Sequence, residues 1–293
     1  SIYQKLKRKD AWTVTHDAAD DFIRLCYNNS SLKRCAKLHM APLSAKQNRL
    51  LVSKFSSADH IGYAVFHWRM LNEVLTLVHG SRGSSVPKSN TKRRFINVEP
   101  LGNVLLQRLV GVAIRRVLAK HGNDLLVGKT VHTQRIATPG VSTIDFSNAS
   151  DSVLLSICRL CFPKRLFSYL NRYRSPFVLI NDVYYMPVKL SSMGNGFTFE
   201  VMSALLLAIA RTMDPAATVY GDDVIIDSNV ADLFIQGAQA IAFQVNEQKT
   251  FIDSPFRESC GAFYYDGYGY ITCYDIHFCE NISDCILTCN KFY

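Results

Sequence analysis

Cysteine is sparse in this sequence and long apolar runs are missing, and each shortage excludes a class of protein. Nine cysteines in 293 residues are too few for a fold held by disulfides, so the composition favours a reducing compartment. The longest apolar run, Ser203–Ala210, is far shorter than the ~20 residues that span a bilayer. No secretory leader is visible at the start of the sequence. We therefore expect no membrane partner.

Negative charge is also in short supply. The sequence has 33 Lys and Arg against 24 Asp and Glu, which gives a net charge of +9. A basic surplus indicates a polyanionic partner, and nucleic acid is the leading candidate. Soluble proteins without such a partner can also be basic, so the motifs have to decide between the two interpretations.

The secondary-structure signals change character near Val141. Before it the pattern is mostly helical, interrupted by a Gly-, Ser- and Pro-rich segment, residues 79–94, which we predict to be an exposed basic loop. After it we predict a helix over 147–162 opened by polar caps, and hairpins at Asn181-Asp182 and Gly221-Asp222. Helices interleaved with hairpins predict an α+β fold with an antiparallel sheet.

Two adjacent aspartates, Asp222 and Asp223, lie at the turn of the second hairpin. One aspartate is ordinary in a turn, but a second charge at the start of an apolar strand is costly unless it is paired. A divalent cation would remove the repulsion, and carboxylates are the ligands it prefers. Asp145 lies in a predicted strand, Val141–Phe146, that could lie beside the hairpin. Three such carboxylates can hold two Mg²⁺ ions for an in-line phosphoryl displacement.

The motifs then form an ordered set. The hairpin sequence YGDD is preceded by STIDFSNASDS and SSMGNGFTFE and followed by NEQKTF and PFRESCGAFYYDG, and RFINVEP comes before them all. This order resembles motif C, motifs A and B, the later segments and the end of motif F in the replicase subunit of single-stranded RNA bacteriophages, the levivirus group. The resemblance runs from Lys88 to about Gly267 and weakens towards Tyr293.

The resemblance implies a right-hand polymerase of the α+β class, with a palm built on an antiparallel sheet, helical fingers and a short or incomplete thumb. It divides the chain into a fingers region with a basic nucleotide-entry loop (1–140), a palm with a fingers insertion near 162–190 (141–255), and a palm–thumb junction (256–293). The implied activity is RNA-dependent RNA synthesis that replicates a phage genome by two-metal nucleotidyl transfer. The implied cofactor is a pair of Mg²⁺ ions, for which Mn²⁺ can substitute.

The resemblance also implies catalytic roles. Asp145 and Asp222 would bind both metals, Asp223 would be a weaker ligand, and Lys249 would protonate the leaving pyrophosphate. The alternative interpretation of Lys249 is a surface lysine without a catalytic role. Asp151 would read the ribose 2′-hydroxyl, although an aspartate at this place can also cap a helix.

Other residues would contact the substrates. Lys88 and Arg94 would bind the triphosphate, while Asn195 would contact the ribose, a role for which Ser192 and Ser203 are alternatives because Met193 and Met202 depart from the widespread motif B. The residues predicted to contact template or primer are Gly194, Gly196, Thr198 and Arg257.

The implied partners are an RNA template, the nascent RNA and ribonucleoside triphosphates, and by family resemblance host translation factors and a ribosomal protein. The implied location is the cytoplasm of an infected bacterial host. Two alternatives remain open at the level of sequence: a reverse transcriptase, and a non-catalytic RNA-binding subunit with a polymerase-like fold. The sequence does not specify the host or the template preference. It also does not specify whether the Cys-rich C-terminal segment binds a metal.

Overall fold

The computed structural model describes residues 2–87, 93–272 and five positions near the C terminus (282, 283, 285, 286 and 289). Within these residues, no helix has both the length and the apolar character needed to cross a membrane. Lys88 and most of the Cys-rich C-terminal segment lie outside the described residues.

Helices and strands alternate along the described chain. The α-helices are α1 (Ile2–Lys5), α2 (Ala19–Asn28), α3 (Ser30–Lys37), α4 (Ala45–Lys54), α5 (Ile61–Arg69), α6 (Leu101–Lys120), α7 (Gly128–Arg135), α8 (Leu155–Cys161), α9 (Lys164–Tyr173), α10 (Thr198–Met213) and α11 (Ala231–Ala240). The strands are β1 (Thr13–Thr15), β2 (Thr76–Val78), β3 (Gly80–Pro87), β4 (Arg93–Val98), β5 (Val141–Ile144), β6 (Phe146–Ser147), β7 (Phe177–Ile180), β8 (Val183–Tyr185), β9 (Thr218–Tyr220), β10 (Asp223–Asp227), β11 (Gln244–Val245), β12 (Phe256–Ser259), β13 (Ala262–Tyr265) and β14 (Gly269–Ile271). This mixture, with most strand pairs antiparallel, confirms the predicted α+β class.

The chain forms two compact units. Unit 1 comprises residues 1–121, 148–205 and 241–243, and unit 2 comprises residues 122–147, 206–240 and 244–293. The predicted division at 140/141 and 255/256 therefore does not coincide with the compact units, because each unit is assembled from separate stretches of chain.

Unit 1 contains a four-stranded sheet in the order β4-β3-β7-β8. The prediction of an exposed loop over residues 79–94 is wrong for both ends of that range, which belong to β3 and β4. These strands pair antiparallel from Arg82↔Val98 to Pro87↔Arg93. The Gly- and Ser-rich β3 is a strand because it has neighbours on both edges, β4 on one and β7 on the other. Gly80 lies so close to β7 that a Cβ would stand 1.9 Å from the carbonyl oxygen of Phe177, which explains the small residue there.

Unit 2 contains a three-stranded antiparallel sheet in the order β5-β10-β9 and a second sheet in the order β12-β13-β14. Ile136, Val141 and Ile225 form a buried cluster, and Ala262 and Tyr264 pack against it. This apolar contact joins the two sheets to the end of α7. It fixes the strands from whose ends the predicted catalytic carboxylates project.

The helix predicted over residues 147–162 is shorter than expected. A single 3₁₀ turn spans Ala149–Asp151, and α8 begins only at Leu155. Leu154 occupies the N-cap position and makes no side-chain cap bond, so the polar residues before it do not cap α8. Asn148 adopts a left-handed conformation with φ of 52°, which turns the chain after β6.

Candidate active site

The hairpin between β9 and β10 has the two-residue loop that the sequence predicts. Tyr220 pairs with Asp223, so Gly221 and Asp222 are the loop residues. Gly221 has φ of 67°, and glycine with positive φ at the first loop position is the pattern of a type II′ turn. The turn places one aspartate in the loop and the next at the start of a strand.

Asp145 reaches the same place through strand pairing. Strand β5 pairs antiparallel with β10, and Val224 lies opposite Ile144. Continuing this register by one residue sets Asp145 opposite Asp223. The strand is interrupted at Asp145, between β5 and β6, which frees its backbone from the ladder.

Asp145 is held in place by the segment that follows β11. The side-chain amide of Asn246 donates to Asp145 Oδ2 at 2.6 Å, and the backbone N–H of Asn246 donates to the Asp145 carbonyl at 2.9 Å. The hydroxyl of Thr250 accepts from the Asp145 backbone N–H at 3.2 Å. These contacts fix the position of Asp145 through its backbone and through one carboxylate oxygen.

Asp223 lies among like charges. The pKa of Asp223 is raised to about 7, first by burial and then by the charges of Asp222, Asp145 and Glu258, while a hydrogen bond from Cys260 lowers it. Cys260 Sγ is 3.4 Å from Asp223 Oδ2. Four carboxylates therefore share one electrostatic environment, which favours the binding of a cation.

Lys249 lies at the edge of this group. Its ammonium is 4.0 Å from Glu258 Oε2, and its side chain is 57% exposed. A lysine in this position is accessible to a substrate. Its ion pair with Glu258 places it beside the cluster of four carboxylates. Its predicted role as a proton donor stays a prediction.

Helix α7 supports the tyrosine of the hairpin. Tyr220 packs so closely on Gly128 that a Cβ there would lie 2.4 Å from its ring, and its ring centroid is 6.2 Å from that of His132. His132 Nδ1 is 2.8 Å from the hydroxyl of Ser259 on β12. Burial lowers the pKa of His132 to about 4, with a smaller contribution from Arg135. The hairpin thus rests on a neutral imidazole rather than on a compensating cation.

The donor set at this site suits a hard cation. Asp145, Asp222, Asp223 and Glu258 offer only carboxylate oxygens, which Mg²⁺ and Ca²⁺ prefer over the nitrogen and sulfur that bind softer metals. In the part of the chain that the structure describes, no three His, Cys, Asp or Glu side chains are already gathered as a metal-binding group. The fit therefore rests on the chemistry of the donors and on their mutual repulsion.

The predicted motif B loop lies in unit 1 and is packed against β4 and α6. Gly194 has φ of 105°, and a Cβ there would stand 2.2 Å from the carbonyl oxygen of Asn97. Gly196 donates its backbone N–H to Gln107 Oε1 at 2.8 Å, and the hydroxyl of Thr198 donates to the Ser192 carbonyl at 2.9 Å. Contacts within the protein thus require these glycines, in addition to any approach of RNA.

A carboxylate, Glu99, organises this loop from inside. Its Oε2 accepts from Ser175 Oγ at 2.6 Å and from Gln107 Nε2 at 3.3 Å. Burial raises the pKa of Glu99, and hydrogen bonds from Ser175, Gln107 and Asn195 together with the charge of Arg174 lower it. Asn195 also accepts the backbone N–H of Phe197 at 3.1 Å, so its amide is engaged in loop structure. The ribose contact predicted for Asn195 stays a prediction.

The loop also lines a cavity of about 500 Å³. The opposite wall is formed by α6, which contributes Arg108 and Arg115. Arg115 pairs with Glu200, whose side chain is 7% exposed. The cavity therefore combines the backbone of Gly194 and Gly196 with basic side chains.

The other predicted substrate contacts have different surroundings. Asp151 forms an ion pair with Lys189 at 2.5 Å and its side chain is 46% exposed, so a substrate can reach it. Arg94 is an exposed residue of β4. Lys88 lies outside the described residues.

The phosphate contact predicted for Arg257 is contradicted by the structure. Its side chain is only 3% exposed and pairs with Asp266. The guanidinium also donates to the Ile136 carbonyl at 2.6 Å and lies 5.4 Å from the Tyr264 ring centroid. A guanidinium enclosed in this way ties β12 to the turn before β14 and cannot contact RNA.

Sequence reasoning missed several residues that shape the site. Asn246 lies in the segment NEQKTF, and Glu258 and Cys260 lie in FRESCG. In these two segments the sequence predicts roles only for the cationic residues Lys249 and Arg257. A polar residue that positions a carboxylate has no local pattern of its own. It becomes visible only when the strand register brings it to Asp145 or Asp223.

Comparisons with known proteins point to one family. Residues 19–293 match the family model of the RNA replicase, beta-chain. The RNA-directed RNA polymerase subunit beta of Qbeta virus (strain MX1) is 36% identical over 225 residues, which are 73% of this chain and 38% of that protein. The RNA-directed RNA polymerase beta chain of Escherichia phage MS2 is 37% identical over 200 residues, which are 65% of this chain and 37% of that protein.

A solved structure is also similar in part. The RNA-dependent RNA polymerase of BmCPV at its elongation state aligns with 86% of this chain and 27% of its own, at 12% identity and a TM-score of 0.40. A similarity of this degree does not identify a fold. The chain spans about two fifths of the length of the phage relatives. The match to the family model nevertheless covers most of the chain, which therefore belongs to the RNA replicase beta-chain family.

Proposed function

We propose that this chain carries the polymerase centre of an RNA replicase and that it performs template-directed RNA synthesis. The observation that carries the proposal is that Asp145 lies at the end of β5, beside the hairpin that carries Asp222 and Asp223, in a chain of this family. We assign the described part of unit 2 to the palm and the helical part of unit 1 chiefly to the fingers. The finer division into palm, fingers and thumb belongs to the proposal.

Asp145 and Asp222 would hold the divalent cations, with Asp223 as a weaker ligand. Two bound Mg²⁺ ions would supply stabilisation of the attacking and leaving oxygens in an in-line displacement. The hydrogen bonds of Asp145 to Asn246 and Thr250, which fix its position, support this assignment. A divalent cation is expected for a polymerase of this family, and Mg²⁺, its number and its replacement by Mn²⁺ are part of the proposal.

The remaining roles follow the same chemistry. Lys249 would donate a proton to the leaving pyrophosphate, since its ammonium is exposed beside Glu258. Asp151 would accept the ribose 2′-hydroxyl, and Arg94 with Lys88 would bind the triphosphate. The backbone of Gly194 and Gly196 would contact template or primer beside the cavity that also contains Arg108.

The partners in this proposal are an RNA template, the nascent strand and ribonucleoside triphosphates, in the cytoplasm of an infected bacterium. The host translation factors and the ribosomal protein stay predictions, because no described surface identifies them.

Extension of a labelled primer on an RNA template by the purified chain tests the function. We expect extension with ribonucleotides and Mg²⁺, none in EDTA, and recovery when Mn²⁺ replaces Mg²⁺. Preference for deoxynucleotides would favour the reverse transcriptase alternative. RNA binding without extension under every metal condition would favour the non-catalytic alternative and overturn the proposal.

A further inference from the structure

The four-stranded sheet of unit 1 has two different faces. Because paired residues share a face of a sheet, the register aligns Val98, Arg82, Leu179 and Tyr184 in one row that crosses all four strands. We call the side that carries this row the arginine face. No residue that the strands contribute to this side is buried.

Part of the opposite face packs against the protein. Ser81, Asn97 and Val178 are buried and all belong to it. A Cβ at Gly83, also on this face, would lie 2.6 Å from the ring of Phe95 and 2.8 Å from Ile180, so those side chains cover that glycine. The opposite face is therefore closed to solvent around Ser81, Asn97 and Val178, whereas the arginine face has no buried strand residue.

The charge of the arginine face is of one sign. Arg82 and Arg94 are both exposed on it, and Arg94 pairs with Val86, four residues from Arg82 along β3. At ~3.3 Å per residue, their backbones are about 13 Å apart. None of the four strands contains an aspartate or glutamate. This face suits a ligand with several negative charges.

Aromatic rings accompany these cations. The side chain of Tyr184 is 49% exposed. Its ring centroid lies 6.4 Å from that of Phe177 and 5.6 Å from that of His79. Exposed rings beside arginines are the combination on which unpaired nucleic-acid bases stack.

We infer that the arginine face is a platform for single-stranded RNA, with Arg82 contacting a phosphate and Tyr184 stacking on a base. This inference deepens the proposed function, on which it rests, by naming a path for the template. Single-stranded RNA is favoured over a duplex because paired bases hide the faces that Tyr184 would contact. It is favoured over a single nucleotide because the face spans roughly 14 Å across its four strands.

The two faces supply matched controls. Arg93 and Tyr185 are exposed neighbours of Arg94 and Tyr184 in sequence but lie on the opposite face, where Arg93 donates to Ser85. The purified chain would be titrated with a fluorescein-labelled, unstructured 12-nucleotide RNA and with the corresponding duplex. EDTA is present and nucleotides are omitted, so that the measurement does not depend on catalysis. Melting by circular dichroism checks that each variant folds.

We expect Arg82→Gln to weaken binding and to reduce the slope of log K against log salt by about 0.7, the change for one lost phosphate contact on a single strand. Tyr184→Leu should weaken binding about 5- to 100-fold with the slope unchanged, and Tyr184→Phe should bind like the parent. Arg93→Gln and Tyr185→Leu should bind RNA with an affinity within about twofold of the parent, because they remove no contact of the arginine face. The Tyr184→Leu loss should be absent with the duplex.

The inference is overturned if Arg82→Gln and Tyr184→Leu bind as tightly as the parent, or if the opposite-face variants lose as much. An equal Tyr184→Leu loss with duplex would also overturn it. If Tyr184→Leu does not fold, the comparison of Arg82→Gln with Arg93→Gln still decides the outcome. A parent chain that binds RNA with this pattern but never extends a primer would refute the proposed function and leave the platform standing.

Discussion

Two carboxylates, Glu99 in unit 1 and Asp223 in unit 2, have raised pKa values for the same first reason, burial, yet their neighbours are opposite in kind. Glu99 accepts hydrogen bonds from Ser175 and Gln107 and lies near the cation of Arg174. The neighbours of Asp223 include three further carboxylates that raise its pKa. A carboxylate satisfied by the protein has a structural role, whereas carboxylates that repel one another prepare a site for a cation from solution.

The largest expected effect is on catalysis at the repelling group. Asp145→Asn and Asp222→Asn should reduce single-nucleotide extension by several orders of magnitude, because the proposed metal ions lose a ligand. Both variants should fold, since asparagine has nearly the same volume, and melting without metal should be unchanged or raised. The measurement is extension of a primed RNA template beside circular dichroism melting. A folded variant that extends RNA near the parent rate would show that the metal assignment is wrong.

The next largest effect is on stability at the satisfied carboxylate. Glu99→Ala should lower the free energy of unfolding by about 2–4 kcal/mol, because Arg174 and the donors around Glu99 lose their partner. Glu99→Gln, which keeps an acceptor, should lose less. Urea denaturation at neutral pH measures both. Equal stability of Glu99→Ala and the parent would remove the contrast with Asp223.

Asp223 should behave in the opposite way. Since its folded pKa is raised to about 7, folding loses stability as pH rises from about 4 to 7. Asp223→Asn should therefore be as stable as the parent near pH 4 and about 1–3 kcal/mol more stable at pH 8.

Melting in EDTA at several pH values tests this change. His132 has a lowered pKa, so its contribution to the free energy of unfolding is lost as pH falls from about 6.5 to 4. This loss is the same in the parent and in Asp223→Asn, and it therefore cancels in the difference between them. A difference that does not grow with pH would contradict the raised pKa of Asp223.

The smallest effect concerns sugar choice by Asp151. Asp151→Ala should lower kcat/KM for ribonucleotides about fivefold more than for 2′-deoxynucleotides, since a lost hydrogen bond costs about 1 kcal/mol. Lys189→Met removes the same ion pair but keeps the carboxylate, so it serves as the control. If both variants lower kcat/KM equally for ribonucleotides and 2′-deoxynucleotides, Asp151 acts only through its pair with Lys189.

Much of the active centre was predictable because it depends on local rules. The two-residue turn at Gly221-Asp222 follows from a glycine between apolar strands. The hairpin at Asn181-Asp182 follows from two residue types that tolerate positive φ, and both have it. That the strand with Asp145 could lie beside the hairpin was expected from the need to gather carboxylates, and β5 does pair with β10. In these cases local propensity and tertiary pairing agree.

Failures occurred where partners distant in sequence decide the outcome. The segment containing β3 is typical of a loop in composition, but β4 and β7 pair with both of its edges. Arg257 has the charge of an RNA contact, but Asp266 and the Ile136 carbonyl enclose it. Residue type indicates what a side chain can bind, and only packing decides whether it is accessible.

The sequence by itself determined the family, the α+β class and the carboxylates of the proposed centre, because ordered motifs and turn chemistry are local properties of a chain. The tertiary structure alone decided which carboxylate oxygen is bound by Asn246, which glycines are required by Asn97 and Gln107, and which arginines share one face of the sheet. These features depend on strand register and burial. Both arise from contacts between residues far apart in the chain, for which no local pattern exists.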